Sequence, residues 1–103
     1  KVNMAGVIPP IFASSNYWLN ILEIKKNLSL KKLLKIIKYL WKNGIEVRPL
    51  WRPNHLQKQY KGCQKYKLDN VNKFYKNRLC LPSGVQLTSK QQDFIYSKLK
   101  NIY

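Results

Sequence analysis

The sequence predicts an α+β fold: a small sheet with helices packed on it. Three observations carry this. Between residues 29 and 43 apolar side chains recur at the helical period, which marks one amphipathic helix. Further on, Thr88 stands three residues before Gln91, the spacing of a helix-opening capping box. Around these helices, short runs of branched and aromatic residues are cut off by Gly and Pro, the pattern of short strands. A chain of 103 residues supports one domain with a modest core.

Tyr17–Ile24 reads as the first strand. Its two alternating faces, Tyr17/Leu19/Ile21 and Trp18/Leu22/Ile24, are both apolar, which suits a strand covered on both sides. Residues 25–28 are the connecting turn. Ser29 caps the main helix, Ser29–Asn43. Leu30, Leu33, Leu34, Ile37, Leu40 and Trp41 form its apolar stripe, and Lys31, Lys32, Lys35, Lys38 and Lys42 fill the other face. Gly44 stands where a C′ residue with positive φ is wanted. Ile45–Arg48 is a short strand stopped by Pro49, and residues 56–68 are irregular. Asp69 caps a short helix over Asn70–Asn77, with Val71, Phe74 and Tyr75 as its apolar side. Leu79–Leu81 is a short buried strand, ended by Pro82, Ser83 and Gly84. The last helix begins at Thr88 and buries Phe94, Ile95, Leu99 and Ile102.

The formal net charge is +16. A balance this basic points to nucleic acid or an anionic membrane. Only Arg48, Arg52 and Arg78 among the 20 basic residues are arginine, whereas base readout and bidentate phosphate clamps favour arginine. Abundant Lys, Asn, Ile and Tyr fit AT-rich coding equally well. Nonspecific, salt-sensitive attraction to polyanions follows in either case. Cys63 and Cys80 are the only cysteines and lack the spacing of a zinc site. They allow a disulfide, but read first as two reduced structural thiols of a cytoplasmic protein. No apolar run approaches the ~18 residues of a membrane span, and AGVIPPIFA lacks the make-up of a signal peptide.

The densest stretch is GIEVRPLWRPNHLQ, residues 44–57. It places two Pro, Trp51, two Arg and the only His within eight residues. Proline fixes φ and removes backbone donors, so such a loop holds one shape at low entropic cost. With NRLCLPSGVQLTSKQQDFI, residues 77–95, it resembles the C-terminal part of the DegT/StrS family of pyridoxal-phosphate-dependent sugar aminotransferases. The resemblance runs from about residue 15 to 103. It implies the small domain of a fold-type I aminotransferase, here a fragment of a longer enzyme. Residues 1–15, KVNMAGVIPPIFASS, instead resemble a segment of the Sec translocon channel subunit. They are expected to be a foreign or disordered leader to a domain at 16–103.

The resemblance also implies a site. The matching family loop lies at the active-site mouth, and Arg48, Trp51, Pro53 and His55 fall on its motif positions as substrate-binding candidates. Arg48 suits an anionic group, Trp51 offers a flat face for a sugar or base, and His55 can hydrogen-bond a hydroxyl. Asn54 stands where many relatives carry Met. The residues alone also allow a plainer assignment: Arg48 pairs with Glu46, His55 caps a turn, Trp51 is core.

Pyridoxal phosphate needs a Schiff-base lysine, an acid at the pyridine nitrogen and phosphate donors. No lysine here has the family's Ser-His-x-Lys context. No catalytic, cofactor-binding or metal residue is therefore assigned, and no bound pyridoxal phosphate is expected. The implied partners are a large domain and, for the full-length family, a second subunit. The alternatives are a small basic nucleic-acid-binding module or a non-functional gene remnant.

Overall fold

The computed structural model describes residues 4–24 and 28–102. Four strands form one antiparallel sheet: β1 (Met4–Gly6), β2 (Asn20–Ile24), β3 (Arg48–Pro49) and β4 (Arg78–Leu81), in the order β1-β2-β4-β3. Three α-helices accompany it: α1 (Leu30–Lys42), α2 (Asp69–Tyr75) and α3 (Ser89–Lys100). This is the expected α+β arrangement. Leu22 and Ile24 of β2, Leu79 of β4, four residues of α1, Ile45, Val47 and Leu99 of α3 make one buried cluster. The inward side chains of β2 lie two apart, as the strand period requires.

Helix α1 shows how local chemistry sets an element. The Ser29 hydroxyl accepts from Lys32 N–H at 3.4 Å and caps the N-terminus. At the other end Ile45 N–H reaches Leu40 O at 3.0 Å and Gly44 N–H reaches Trp41 O at 2.9 Å. That pair of bonds is a Schellman closure, and it needs a left-handed C′ residue; Gly44 has φ +73°. The buried face is Leu33, Ile36, Ile37 and Leu40. Leu30, Leu34 and Trp41, assigned to the apolar stripe, are exposed. The stripe is wider than the contact area, and the sheet covers only one side of it, adding Ile36.

Several boundaries depart from expectation for identifiable reasons. The strand expected at Tyr17–Ile24 is β2 and begins at Asn20. Ser15 Oγ and Asn16 Oδ1 accept from the backbone N–H groups of Tyr17 and Trp18 at 3.0 and 3.1 Å. Such side-chain turns compete with a ladder, and Tyr17 takes φ +50°. Neither Tyr17 nor Trp18 is buried. The strand expected at Ile45–Arg48 is displaced to Arg48–Pro49. Pro49 does not stop it, because β3 lies at the sheet edge, where a missing N–H costs no ladder bond.

Asp69 does not cap α2; it is the first helical residue, and Leu68 occupies the cap position without a side-chain bond. Helix α2 buries none of its residues, and Val71 and Phe74 are exposed. Two short 3-10 turns follow the loop: Asn54–Leu56 closes it, and Lys58–Tyr60 lies in the segment read as irregular. The capping box of α3 forms as expected, with Thr88 N–H to Gln91 Oε1 at 2.9 Å and Gln91 N–H to Thr88 Oγ1 at 3.3 Å. Within α3 Leu99 is buried and Ile95 packs on the core, but Phe94 is exposed.

Residues 4–6 belong to the segment that the sequence sets apart as a leader. In the structure they pair in register with β2, Met4 opposite Ile24 and Gly6 opposite Leu22. Most of the turn at 25–28 lies outside the described residues. Among the described residues no helix is long and apolar enough to cross a membrane.

Candidate functional site

The Pro-rich loop follows β3 along the sheet edge, and local geometry aims its side chains. In an extended chain residues two apart share a side, so Arg48 turns toward Glu46. Arg48 Nη2 and Nε lie 2.6 and 3.0 Å from Glu46 Oε1. Both side chains are about 70% exposed, so the pair contributes little to stability. It nonetheless neutralises the Arg48 charge locally.

Trp51 is 63% exposed, so it is not a core residue. Its ring leans against Trp18 at 6.1 Å between centroids and 58° between planes, a favourable tilted contact. Ser83 Oγ donates to Trp18 O at 2.6 Å and ties that segment to the turn after β4. Beyond Trp51 the loop braces itself: the Gln57 side-chain amide donates to Arg52 O and to Asn54 Oδ1, both at 3.1 Å. Half-buried Pro53 stands before the first 3-10 turn, and its carbonyl accepts from Leu56 N–H at 3.0 Å.

His55 turns away from this surface. Its Nε2 lies 2.8 Å from Asn72 Oδ1 in α2. An amide oxygen only accepts, so Nε2 carries the proton in this arrangement. The bond spans 17 residues and pins the loop to α2, a helix with no buried side chain of its own.

Arg48 and Trp51 share one open groove of about 810 Å³, also lined by Leu30, Trp41, Glu46, Pro49, Leu50, Arg52 and Tyr75. Pro53 and His55 do not line it. The loop thus divides into a groove-facing half and an anchoring half. Trp41 is fixed there by its indole N–H, which donates to Val47 O at 2.7 Å. Sequence reasoning missed Trp41, Arg52 and Tyr75 as groove residues. Arg52 had a signal, standing next to Trp51 with no acid two residues away; Tyr75 had none, because only the tertiary fold brings α2 to the loop.

The described residues do not fit pyridoxal phosphate. The only acid lining the groove is Glu46, already paired with Arg48, and no lysine lines it. Glu23 pairs with Arg78, while Asp69 and Asp93 are exposed on α2 and α3. No polar or charged side chain among the described residues is buried, whereas a cofactor of this kind needs several convergent ones. No group of three or more His, Cys, Asp or Glu that could hold a metal occurs among the described residues. Cys63 is exposed and Cys80 half-buried, both as free thiols; burial pushes the Cys80 thiol up.

Comparison with known proteins agrees with the fold. The EpsN protein of Bacillus subtilis, named as a pyridoxal phosphate-dependent aminotransferase, is 30% identical over 93 residues, covering 86% of this chain and 23% of EpsN. The sugar aminotransferase Spr1654 of Streptococcus pneumoniae matches in its PMP form with TM-score 0.68 and 26% identity, over 82% of this chain and 21% of that one. Its PLP form superposes with TM-score 0.79 at 23% identity, over 96% and 26%. The sugar aminotransferase CalS13 of Micromonospora echinospora shares the fold with TM-score 0.76 at 13% identity, over 97% and 25%. The chain therefore spans about a quarter of the length of these relatives. The family match covers residues 6–100 and so begins inside the 1–15 leader. On that match, this chain belongs to the DegT/DnrJ/EryC1/StrS aminotransferase family.

Proposed function

We propose that residues 16–103 are the C-terminal small domain of a pyridoxal-phosphate-dependent nucleotide-sugar aminotransferase. In this reading they supply substrate contacts and leave the chemistry to a large domain. The observation that carries it is the family match over residues 6–100, set beside a groove that holds aromatic and cationic side chains but no lysine. Arg48 and Trp51 face the substrate. Pro53 fixes the course of the loop, and His55 holds it against α2 through Asn72. The complete enzyme moves an amino group to a keto-sugar nucleotide, works as a homodimer and is cytoplasmic.

The test is direct. The purified chain is incubated with pyridoxal phosphate, treated with borohydride and mapped by mass spectrometry, with glutamate-dependent turnover measured in parallel. The expected result is no turnover and only scattered, substoichiometric lysine adducts. Stoichiometric reduction onto one lysine refutes the division of labour.

A second reading, a basic nucleic-acid-binding module, draws on one observation: Lys31, Lys32, Lys35, Lys38 and Lys42 are all exposed along α1. Binding that keeps a sequence preference at ~0.2 M salt supports it, whereas nonspecific attraction falls steeply over that range.

A further inference from the structure

We infer that Trp18 is a positioning residue for Trp51: it stands outside the groove and fixes the orientation in which Trp51 faces it. This rests on the reading of Trp51 as a substrate contact, but it holds for any ligand of the groove, so the two can fail separately.

The bonds within the loop fix backbone, not the Trp51 ring. Pro49 and Pro53 set φ on either side, and the Gln57 amide holds Arg52 O and Asn54 Oδ1. An indole that is 63% exposed changes rotamer quickly unless something leans on it. Trp18 leans on it, at 6.1 Å between centroids and 58° between planes. Tilted aromatic contacts have a preferred geometry, so this one sets orientation as well as place. Trp51 lines the groove and Trp18 does not; Trp51 thus meets the groove on one side and Trp18 on another.

A post must itself be fixed, and Trp18 is held at both backbone polar groups. Its N–H donates to Asn16 Oδ1 at 3.1 Å, and its carbonyl accepts from Ser83 Oγ at 2.6 Å. One residue earlier, Tyr17 N–H donates to Ser15 Oγ at 3.0 Å and Tyr17 takes φ +50°. A non-glycine residue in that region persists only where its surroundings over-determine it. The two side-chain turns and the Ser83 bond are such surroundings. Two residues on, Asn20 enters β2 opposite Leu81 of β4. Trp18 is therefore tied by chain and by Ser83 to the two central strands of the sheet. Its own ring lies outside the buried cluster, so core packing does not account for its place.

The experiment uses the full 103-residue chain, labelled with heavy nitrogen. The indole N–H signals of Trp18, Trp41 and Trp51 are assigned by single Trp→Phe replacements. Their heteronuclear NOE reads fast side-chain motion. Trp41, steadied by its bond to Val47 O, is the internal control for an intact fold. The variants are Trp18→Ala, Trp18→Phe and Ser83→Ala.

In the parent, Trp51 is expected to show the rigid NOE of Trp41. Trp18→Ala lowers the Trp51 NOE and moves its signal toward that of free indole, with Trp41 unchanged. Trp18→Phe restores most of the rigid value, because a ring still leans there. Ser83→Ala removes neither ring and lowers the Trp51 NOE by less. A merely structural role would loosen Trp41 and Trp51 together and would not be rescued by Phe. An unchanged Trp51 NOE in Trp18→Ala overturns the inference and leaves the substrate-contact reading standing, since that reading asks only that Trp51 face the groove. If Trp18→Ala loosens Trp41 as well, Ser83→Ala decides, and a Trp51 signal unmoved by it overturns the inference. The borohydride mapping described above tests the other reading alone and leaves the Trp51 NOE untouched.

Discussion

Arg78 is the residue whose removal should do most to separate α2 from the sheet. Its guanidinium donates to Glu23 on β2 at 2.8 Å and to the Phe74 carbonyl, and it lies over the Phe74 ring at 3.8 Å. The Arg78 side chain is 11% exposed and that of Glu23 36%. Exposed ion pairs are worth about 0.2–1 kcal/mol, whereas breaking a buried one costs about 3–5 kcal/mol. With Glu23 open to water, the pair belongs near ~1 kcal/mol. The cation–π contact adds ~1 kcal/mol and the carbonyl bond a similar amount. Arg78→Met keeps the aliphatic stem and some contact with the ring, so the expected loss is about 2–3 kcal/mol. Glu23→Gln should cost ~1 kcal/mol, and the double variant should reveal a coupling of ~1 kcal/mol. Urea unfolding followed by far-UV circular dichroism measures all three. A domain of this size loses roughly 4–8 °C of Tm per kcal/mol, so melts provide an independent check. An Arg78→Met variant within ~0.5 kcal/mol of the parent, or a coupling indistinguishable from zero, would refute the view that this side chain tethers α2.

Two further outcomes follow from single observations. Gly44→Ala meets no steric clash, since nothing lies within 4 Å of an added Cβ; it forces a left-handed φ on an L-residue and should cost ~1 kcal/mol. Gly44→Asn should lose less, and equal losses in the two melts would count against a backbone origin. Cys63 should alkylate with iodoacetamide before Cys80 at neutral pH, because burial raises the Cys80 thiol and thins its thiolate. By the same linkage the Cys80 contribution to stability is complete below the unfolded thiol value and is lost as pH climbs through the folded one. Equal labelling rates in the folded protein, measured by mass spectrometry, would contradict the burial.

Local chemistry made much of the fold legible. Ser29, Gly44, Thr88 and Gln91 act within four residues of the backbone they cap, so the limits of α1 and the start of α3 could be read from neighbours alone. Proline and tryptophan density likewise marked residues 48–55 as a shaped loop, because stiffness is written into residue type.

The sequence by itself determined the ends of α1, the start of α3, the α+β class and the loop, since each depends on contacts a few residues long. Tertiary structure decided which part of each apolar surface is covered. Leu34 and Ile36 look alike on α1, yet only Ile36 meets the core. It also decided the partners of charged and aromatic groups. Glu23 meets Arg78 across 55 residues, His55 meets Asn72 across 17, and Trp18 leans on Trp51. Such pairings form when distant segments close on one another, and no local propensity encodes which segment arrives. The same closure placed Arg48 and Arg52 in one groove.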